Sequence, residues 1–222
     1  IFREQKKIDY QLDIEAAAAL SQSEIGLIPL SIARDISKIA KSGKITAKRI
    51  KQLEAKSDHD TAALVEALAE KCNKESRPWI HYGLTSNDLV DTSNSMQMRD
   101  AIKIIQPKVS KLSLILAKNA VKHKSVPAVG RTHGQHASII SFGLKFANWA
   151  AEMSTHLERL DEIKKRVLIC KTLGVVGTGS LMGKNAVKVQ ERVAKKLGLY
   201  SAKVTTQIIP RERYAEYIFQ LA

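Results

Sequence analysis

The sequence predicts an all-α fold with unusually long helices, and three observations carry that expectation. Ala, Leu, Ile, Lys and Glu dominate a chain that is 44% hydrophobic, only 5% aromatic and contains five prolines, a composition of helix formers. Apolar residues recur at helical spacing along most of the length. The clearest run is Ile139, Phe142, Phe146, Trp149, Met153, Leu157, Leu160, Ile163 and Val167, with steps of 3, 4, 3, 4, 4, 3, 3 and 4. That is a bundle stripe near 3.5 residues per turn. No segment reads as a strand.

The elements follow in order. Residues 3 to 24 read as a helix with Ile8, Leu12, Ala16 and Leu20 on one face. Pro29 opens a second, PLSIARDISKIA, which Gly43 stops. Thr46 caps a third, running to about Lys56. Residues 60 to 75 form a fourth, with Leu64, Leu68 and Cys72 aligned. SRPWIHYGLTSND then breaks the periodicity and reads as a loop. From Asp88 a long helical pattern runs to His123. Pro107 marks where it would bend, since proline lacks the N–H that a helix interior needs. SVPAVGRTHGQHA reads as a second loop, and the striped helix of residues 139 to 167 follows with His136 near its start. TLGVVGTGSLMG is a third, glycine-rich loop, and helices resume at about 184 to 197 and 210 to 222. The expected division is a smaller N-terminal helical domain, 1–87, followed by a long-helix bundle, 88–222.

A length of 222 residues suits one large domain or two modest ones. The apolar content sets global disorder aside. No apolar run approaches the length that spans a bilayer, and no signal-peptide pattern is present. Cys72 and Cys170 both sit inside amphipathic patterns, so a reduced, cytoplasmic protein is expected. Lys and Arg outnumber Asp and Glu by 36 to 22, a net charge of +14. Such an excess suits a polyanionic partner (nucleic acid, a membrane surface or a phosphorylated metabolite) or a well-solvated lysine surface. The basic residues are spread out, and no zinc-finger spacing, aromatic-rich RNA motif or basic zipper region occurs. Charge alone therefore does not point to nucleic acid.

Chemistry-bearing residues gather in the loops. KSDHDTAAL carries His59 with Asp58 and Asp60; the next loop carries Thr85, Ser86, Asn87 and Asp88; GRTHGQHAS carries Arg131, Thr132, His133, Gln135 and His136. Each has a purely structural alternative. Asp58 or Asp60 could cap the fourth helix, and Ser86 or Asn87 the long one. His133 and His136 stand three apart with no cysteine nearby and no third ligand, a poor set for zinc. GTGSLMGK is no phosphate loop: Gly177 is one residue too far from Gly183 and Lys184, and Asn185 replaces the required Ser or Thr. What survives is a histidine-rich polar site with hydroxyl and amide donors and no metal. That set suits proton transfer beside a multiply charged oxyanion substrate.

WIHYGLTSNDLVDT and GRTHGQHASIISFGLKFANWAAEM, with DHDTAAL before them and TTQIIPRERYAEYIFQLA after, resemble the adenylosuccinate lyase family of the fumarase–aspartase superfamily. The likeness covers nearly the whole chain, with four signatures in order. It implies a homotetramer around a central bundle of long helices, with each active site gathered from loops of three subunits. It implies β-elimination of fumarate from adenylosuccinate, leaving AMP, and from the succinyl-carboxamide ribotide (SAICAR), leaving the carboxamide (AICAR), with no metal or organic cofactor. By the same resemblance His133 is the general acid for the leaving nitrogen. His59 assists it and contacts the substrate phosphate. Asp58 and Asp60 line the substrate, and Thr85 and Ser86 hold the carboxylate on the fumarate side. Gln207 contacts substrate near the scissile bond, and Asn87 and Thr132 complete the substrate-binding set.

The resemblance has gaps. The family's general base is a serine in a mobile Gly-Ser-Ser-x-Met-Pro-x-Lys loop, and that signature does not occur here. An N-terminal Arg-Tyr pair that grips the nucleotide is missing too. Both ends read as cut within helices, so a core piece of the enzyme, without activity on its own, is expected. The alternatives are a member resembling the 3-carboxymuconate cycloisomerases, which share GxTSxD and GRTxxQHA, and a helical scaffold or RNA-binding module without catalysis. His133 favours the lyase over the cycloisomerase.

Overall fold

The computed structural model describes all 222 residues. Eight α-helices dominate it: α1 Glu4–Ser23, α2 Leu30–Ala40, α3 Ala47–Ser57, α4 Asp60–Ala69, α5 Ser86–Lys122, α6 Phe142–Val167, α7 Ala186–Leu197 and α8 Glu212–Leu221. Single 3₁₀ stretches lie at Lys74–Trp79 and Ser180–Asn185, and four short strands at β1 Pro127–Thr132, β2 Gln135–Ser141, β3 Ile169–Cys170 and β4 Tyr200–Ser201. The all-α class holds. Two compact units make up the chain, one of Ile1–Asp100 with Lys165–Ala215, the other of Ala101–Lys164 with Glu216–Ala222. The boundary expected after residue 87 falls inside the first.

In the first unit α1 is the central rod, packing against α2, α3 and α7, while α3 packs on α4. Its expected face is buried through Ile8, Leu12 and Ala16, but so are Tyr10, Ile14, Ala17, Ala18 and Ala19. A helix buried nearly all round, with Gln11, Glu15, Ser21 and Gln22 also inside, has neighbours on several sides, and the run of alanines lets them come close. Thr46 caps α3 as expected, its hydroxyl accepting the Arg49 N–H at 3.2 Å. The cap of α4 is a correction: neither Asp58 nor Asp60 holds that place, but His59, whose ring Nδ1 accepts the Ala62 N–H at 3.2 Å. Helix α4 also ends at Ala69 rather than near residue 75, and a turn carries Cys72 into the core. Strands β3 and β4 form a two-residue parallel pair that ties the end of α6 to the end of α7.

In the second unit α5 and α6 run antiparallel. The Ser113 hydroxyl donates to the Ala150 carbonyl at 3.3 Å, and Gln106 joins Asp161 at 2.8 Å and Lys164 at 2.9 Å. Pro107 does not end α5, which is continuous over 37 residues. Phe142, Phe146 and Trp149 stack edge to face in succession, with His123 against the first two. The stripe read from sequence is thus divided. Leu160, Ile163 and Val167 are buried, whereas Ile139, Phe142 and Trp149 are exposed.

The absence of strands expected between residues 127 and 141 is overturned. β1 and β2 pair as an antiparallel hairpin in which Thr132 faces Gln135. The two linking residues, His133 and Gly134, both take left-handed backbone angles, with φ of 50° and 72°. A two-residue loop with positive φ at both positions matches the right-handed twist of the strands. Glycine adopts it freely; histidine does so uncommonly. His136 and Ile139 therefore belong to β2, and α6 begins at Phe142. A register shift after Gly130 sets His136 opposite Arg131.

Candidate active site

The N-terminal turns of α5 organise the first unit's polar residues. Asp88, Asp91, Thr92 and Ser95 recur at helical spacing and are all fully buried. A face with that spacing normally carries apolar side chains into the core; here each polar group grips a distant segment. Asp88 Oδ2 accepts the N–H groups of Thr85 at 3.0 Å and Gly174 at 2.9 Å, and Oδ1 pairs with the Lys171 ammonium. That ammonium also donates to the Gly174 carbonyl at 3.2 Å. Thr92 bonds both backbone groups of Lys171, at 3.0 and 3.1 Å. Burial pushes the Asp88 carboxyl above its ordinary value, with Lys171 and the two N–H groups pulling the other way. The arrangement ties the Thr85 turn to the glycine-rich loop.

Because α5 starts at Ser86, Thr85 takes the cap position, and Asp88 three residues on reaches back to its N–H. This is half of a capping box, and it corrects the expectation that Ser86 or Asn87 caps the helix. The side chain of Ser86 is left to meet His59: Ser86 Oγ lies 3.3 Å from His59 Nε2. The other ring nitrogen accepts a backbone N–H, so it carries no proton, and Nε2 is the N–H that donates to the serine. The structure therefore brings together His59, Thr85 and Ser86, with Asn87 one residue further along α5. Asp58 and Asp60 flank His59, exposed to solvent. Asp58 closes α3 in a left-handed conformation at φ 50°. Asp60 Oδ1 is engaged by the Thr61 N–H at 2.6 Å.

His59→Asn separates the cap from the imidazole. Asparagine caps at least as well, so stability should change by less than about 0.5 kcal/mol, the usual range for surface substitutions. Turnover by the intact protein should fall by about tenfold or more, equivalent to about 1.4 kcal/mol. Thermal melts and initial rates on one preparation check both halves, and wild-type rates would remove His59 from the site.

Gln207 is exposed in the irregular stretch between β4 and α8. The glycine-rich loop runs hard against the same stretch: a Cβ on Gly177 would collide with the Thr205 carbonyl, so only glycine fits there. In the second unit, Thr132 ends β1 and His133 occupies the turn, both exposed. The paired strands fix the backbone at His133, so its imidazole projects from a defined point.

A sequence profile of the family described as lyase matches residues 1–222. The chain belongs to the lyase family. Adenylosuccinate lyase of Methanocaldococcus jannaschii is 44% identical over 222 residues, which are 100% of this chain and 48% of that protein. Adenylosuccinate lyase of Pyrococcus abyssi is 40% identical over all of this chain and 49% of its own length. The lyase chain thus spans about half the length of these curated relatives. Among solved structures, fumarate lyase from Mesorhizobium sp. BNC1 superposes with a TM-score of 0.92 at 30% identity, over 99% of this chain and 52% of that one. The β-carboxy-cis,cis-muconate cycloisomerase of Acinetobacter calcoaceticus sp. ADP1 gives 0.92 at 29% identity, over 100% and 52%.

Sequence reasoning missed two partners of buried carboxylates in this lyase chain. Lys171 is wholly buried; its signal was a lone lysine within the apolar run VLICKTLGVV. His81 takes a left-handed φ of 62° and meets buried Glu15 twice, through its N–H at 3.0 Å and its ring Nδ1 at 2.6 Å. Burial alone would lower the His81 pKa, but the bond to Glu15 and its charge outweigh that and raise it. Nothing local in WIHYGL announces a partner on α1. Both cysteine thiols are buried, and burial pushes each up to about 12, so neither supplies a thiolate nucleophile. No helix is long and apolar enough to cross a membrane.

Proposed function

We propose that this chain carries acid and substrate-binding residues of an adenylosuccinate lyase, acting on adenylosuccinate and SAICAR and releasing fumarate with AMP or AICAR. The observation that carries the reading is the His59–Ser86 contact at 3.3 Å, beside a Thr85 turn clamped by the buried Asp88. The relatives named above support the choice of substrate.

Fumarate release requires transfer of a proton from the carbon beside a carboxylate to a base, the role that the resemblance gives to the serine of the Gly-Ser-Ser-x-Met-Pro-x-Lys loop, and expulsion of an amine. The electron pair left on carbon is delocalised into the carboxylate as an aci-form carrying two negative charges. Donors fixed at Thr85 and Ser86 stabilise that charge more than the ground state, which is the difference that accelerates a reaction. The C–N bond then breaks and its electron pair stays on nitrogen, which takes a proton from the imidazolium of His133. His59, with Nε2–H outward, donates to the substrate phosphate or the adjoining hydroxyl. Asp58, Asp60, Asn87, Thr132 and Gln207 complete the contacts, and the reaction uses no metal or organic cofactor. A substrate with a phosphate and two carboxylates suits a chain of net charge +14.

Exposed Leu112, Leu114, Ile115, Leu144 and Trp149 lie in the second unit. Apolar surface of this kind marks interfaces, which supports a homotetramer assembled on the long helices. Active sites gathered from loops of several subunits accord with such an assembly. Cytoplasmic location accords with purine biosynthesis.

The test is turnover. Intact protein mixed with adenylosuccinate should release fumarate, followed by absorbance, and should leave 3-carboxymuconate unchanged. Turnover of carboxymuconate alone would transfer the chain to the cycloisomerase reading, which the superposition at a TM-score of 0.92 favours as the second choice.

A further inference from the structure

We propose that Asp91 is a positioning residue for Gln207, holding in place the irregular segment that presents this amide. The inference rests on the reading above, in which Gln207 contacts substrate.

Gln207 lies in a connection with no regular structure, between β4 ending at Ser201 and α8 beginning at Glu212. Such connections are ordinarily the mobile part of a fold. This one is clamped on both sides of Gln207. Upstream, Gly177 of the glycine-rich loop packs directly on the backbone of Thr205 and Thr206. Downstream, the side chain of Asp91, 1% exposed, gathers three donors. Its Oδ2 accepts the Ile209 N–H at 2.8 Å. Its Oδ1 accepts Arg211 Nη1 at 2.6 Å and the Tyr214 hydroxyl at 3.1 Å. The Arg211 guanidinium lies 5.2 Å from the centre of the Tyr214 ring, so the two donors brace each other. Hydrogen bonds to an ionised carboxylate are roughly twice as strong as neutral ones. Asp91 thus fixes the backbone two residues beyond Gln207 and the side chains four and seven residues beyond it.

Asp91 also stands one helical turn after Asp88, whose carboxylate holds Thr85 and Gly174. Neighbouring carboxylates on one buried face of α5 therefore set two different site segments. One holds the hydroxyl turn and the other the amide segment. Asp91 itself touches no substrate in this scheme and acts through Gln207.

A double-mutant cycle in the intact enzyme tests the proposal. Asp91→Asn keeps the shape of the side chain and removes its charge. Arg211→Met removes one donor from a guanidinium that is 48% exposed and leaves the buried carboxylate two partners. Each variant, and Gln207→Ala, should raise KM for adenylosuccinate about tenfold, within the range found for residues of one network. The pair Asp91→Asn/Gln207→Ala should be no worse than Gln207→Ala alone, because the amide that Asp91 positions is already gone. Multiplying losses would show that Asp91 acts independently and would overturn the proposal while leaving the substrate reading intact. Amide hydrogen exchange gives a readout free of catalysis: the Ile209 N–H should exchange faster in Asp91→Asn while α1 and α7 stay protected. Unchanged exchange at Ile209 overturns the clamp whatever the kinetics. Wild-type enzyme inert towards adenylosuccinate would overturn the substrate reading instead, with exchange still deciding the clamp.

Discussion

Replacing His133 by alanine in the intact protein is expected to lower kcat on adenylosuccinate by ~10² to 10⁴, the usual worth of a positioned acid. The expectation rests on where the side chain sits. The paired strands leave only two residues for the turn, and His133 is the first of them, in the left-handed region at φ 50°. A non-glycine residue held there stores backbone strain of order 1–3 kcal/mol, and such strain concentrates at functional sites. Asparagine or glycine would satisfy the turn with less strain, so the imidazole is not there for the backbone's sake. That point also refines the experiment. His133→Ala combines the loss of the imidazole with an altered turn, whereas His133→Asn keeps a residue that tolerates this conformation. Both variants should be impaired in kcat to a similar extent, while His133→Asn should melt at or above the wild type and His133→Ala no higher than His133→Asn. A His133→Asn enzyme with near-normal kcat would end the assignment. His136 is the internal control, because it is exposed on β2 opposite Arg131 rather than in the turn. His136→Ala should stay within about tenfold of wild type, or about 1.4 kcal/mol. Were it the dead variant, the two histidines would exchange roles.

What the sequence reveals here depends on the range of the interaction that decides each feature. Helices α1, α2 and α3 are legible to within a residue or two, because apolar spacing, Pro29 and the Thr46 cap are local signals. The hairpin is not. Its strands are short and mostly exposed, so no alternation of apolar and polar residues marks them, and its turn uses histidine where asparagine or aspartate would announce a type I′ loop. The same polar density that marked THGQH as chemistry hid its backbone geometry. His59 was visible as a candidate, but its cap on α4 was not, since aspartates on both sides are the commoner capping residues. The buried face of α5 is the largest omission. Asp88, Asp91, Thr92 and Ser95 have the composition of a solvent-facing stripe, and their distant partners lie at Lys171, Gly174, Val167, Ile209, Arg211 and Tyr214, 72 to 123 residues away. Pairings at that separation leave no periodic trace. Hence Thr85, Ser86 and Gln207 could be named from a motif, while the groups that hold them came only from the fold.

The second large effect is expected at Lys171. Its ammonium and the Asp88 carboxylate are each 0% exposed, and they are ion-paired. Ion pairs taken wholly out of water add little net stability, because desolvating two charges offsets most of their attraction. Removing one partner is a different matter. Lys171→Met would leave the Asp88 charge buried with two N–H donors and no cation, at a cost of about 3–5 kcal/mol. That is a large part of the 5–15 kcal/mol typical of a folded domain. The double variant Asp88→Asn/Lys171→Met should recover most of the loss. The amide introduced by Asp88→Asn can place its oxygen where Oδ2 now accepts from Thr85 and Gly174, and its NH₂ can take over the Gly174 carbonyl that Lys171 releases. Urea unfolding of the two variants and the wild type measures this directly. A single variant within about 1 kcal/mol of wild type, the ordinary size of a neutral hydrogen bond, would mean that water reaches Asp88 and that the pair is not the anchor of the Thr85 turn. A double variant as unstable as the single would mean that the methylene stem of Lys171, rather than its charge, fills this part of the core. If the charge is what matters, the double variant should also regain part of the turnover lost in Lys171→Met. Thr85 and Ser86 need the Asp88–Thr85 bond to hold their places, and the substituted amide preserves it.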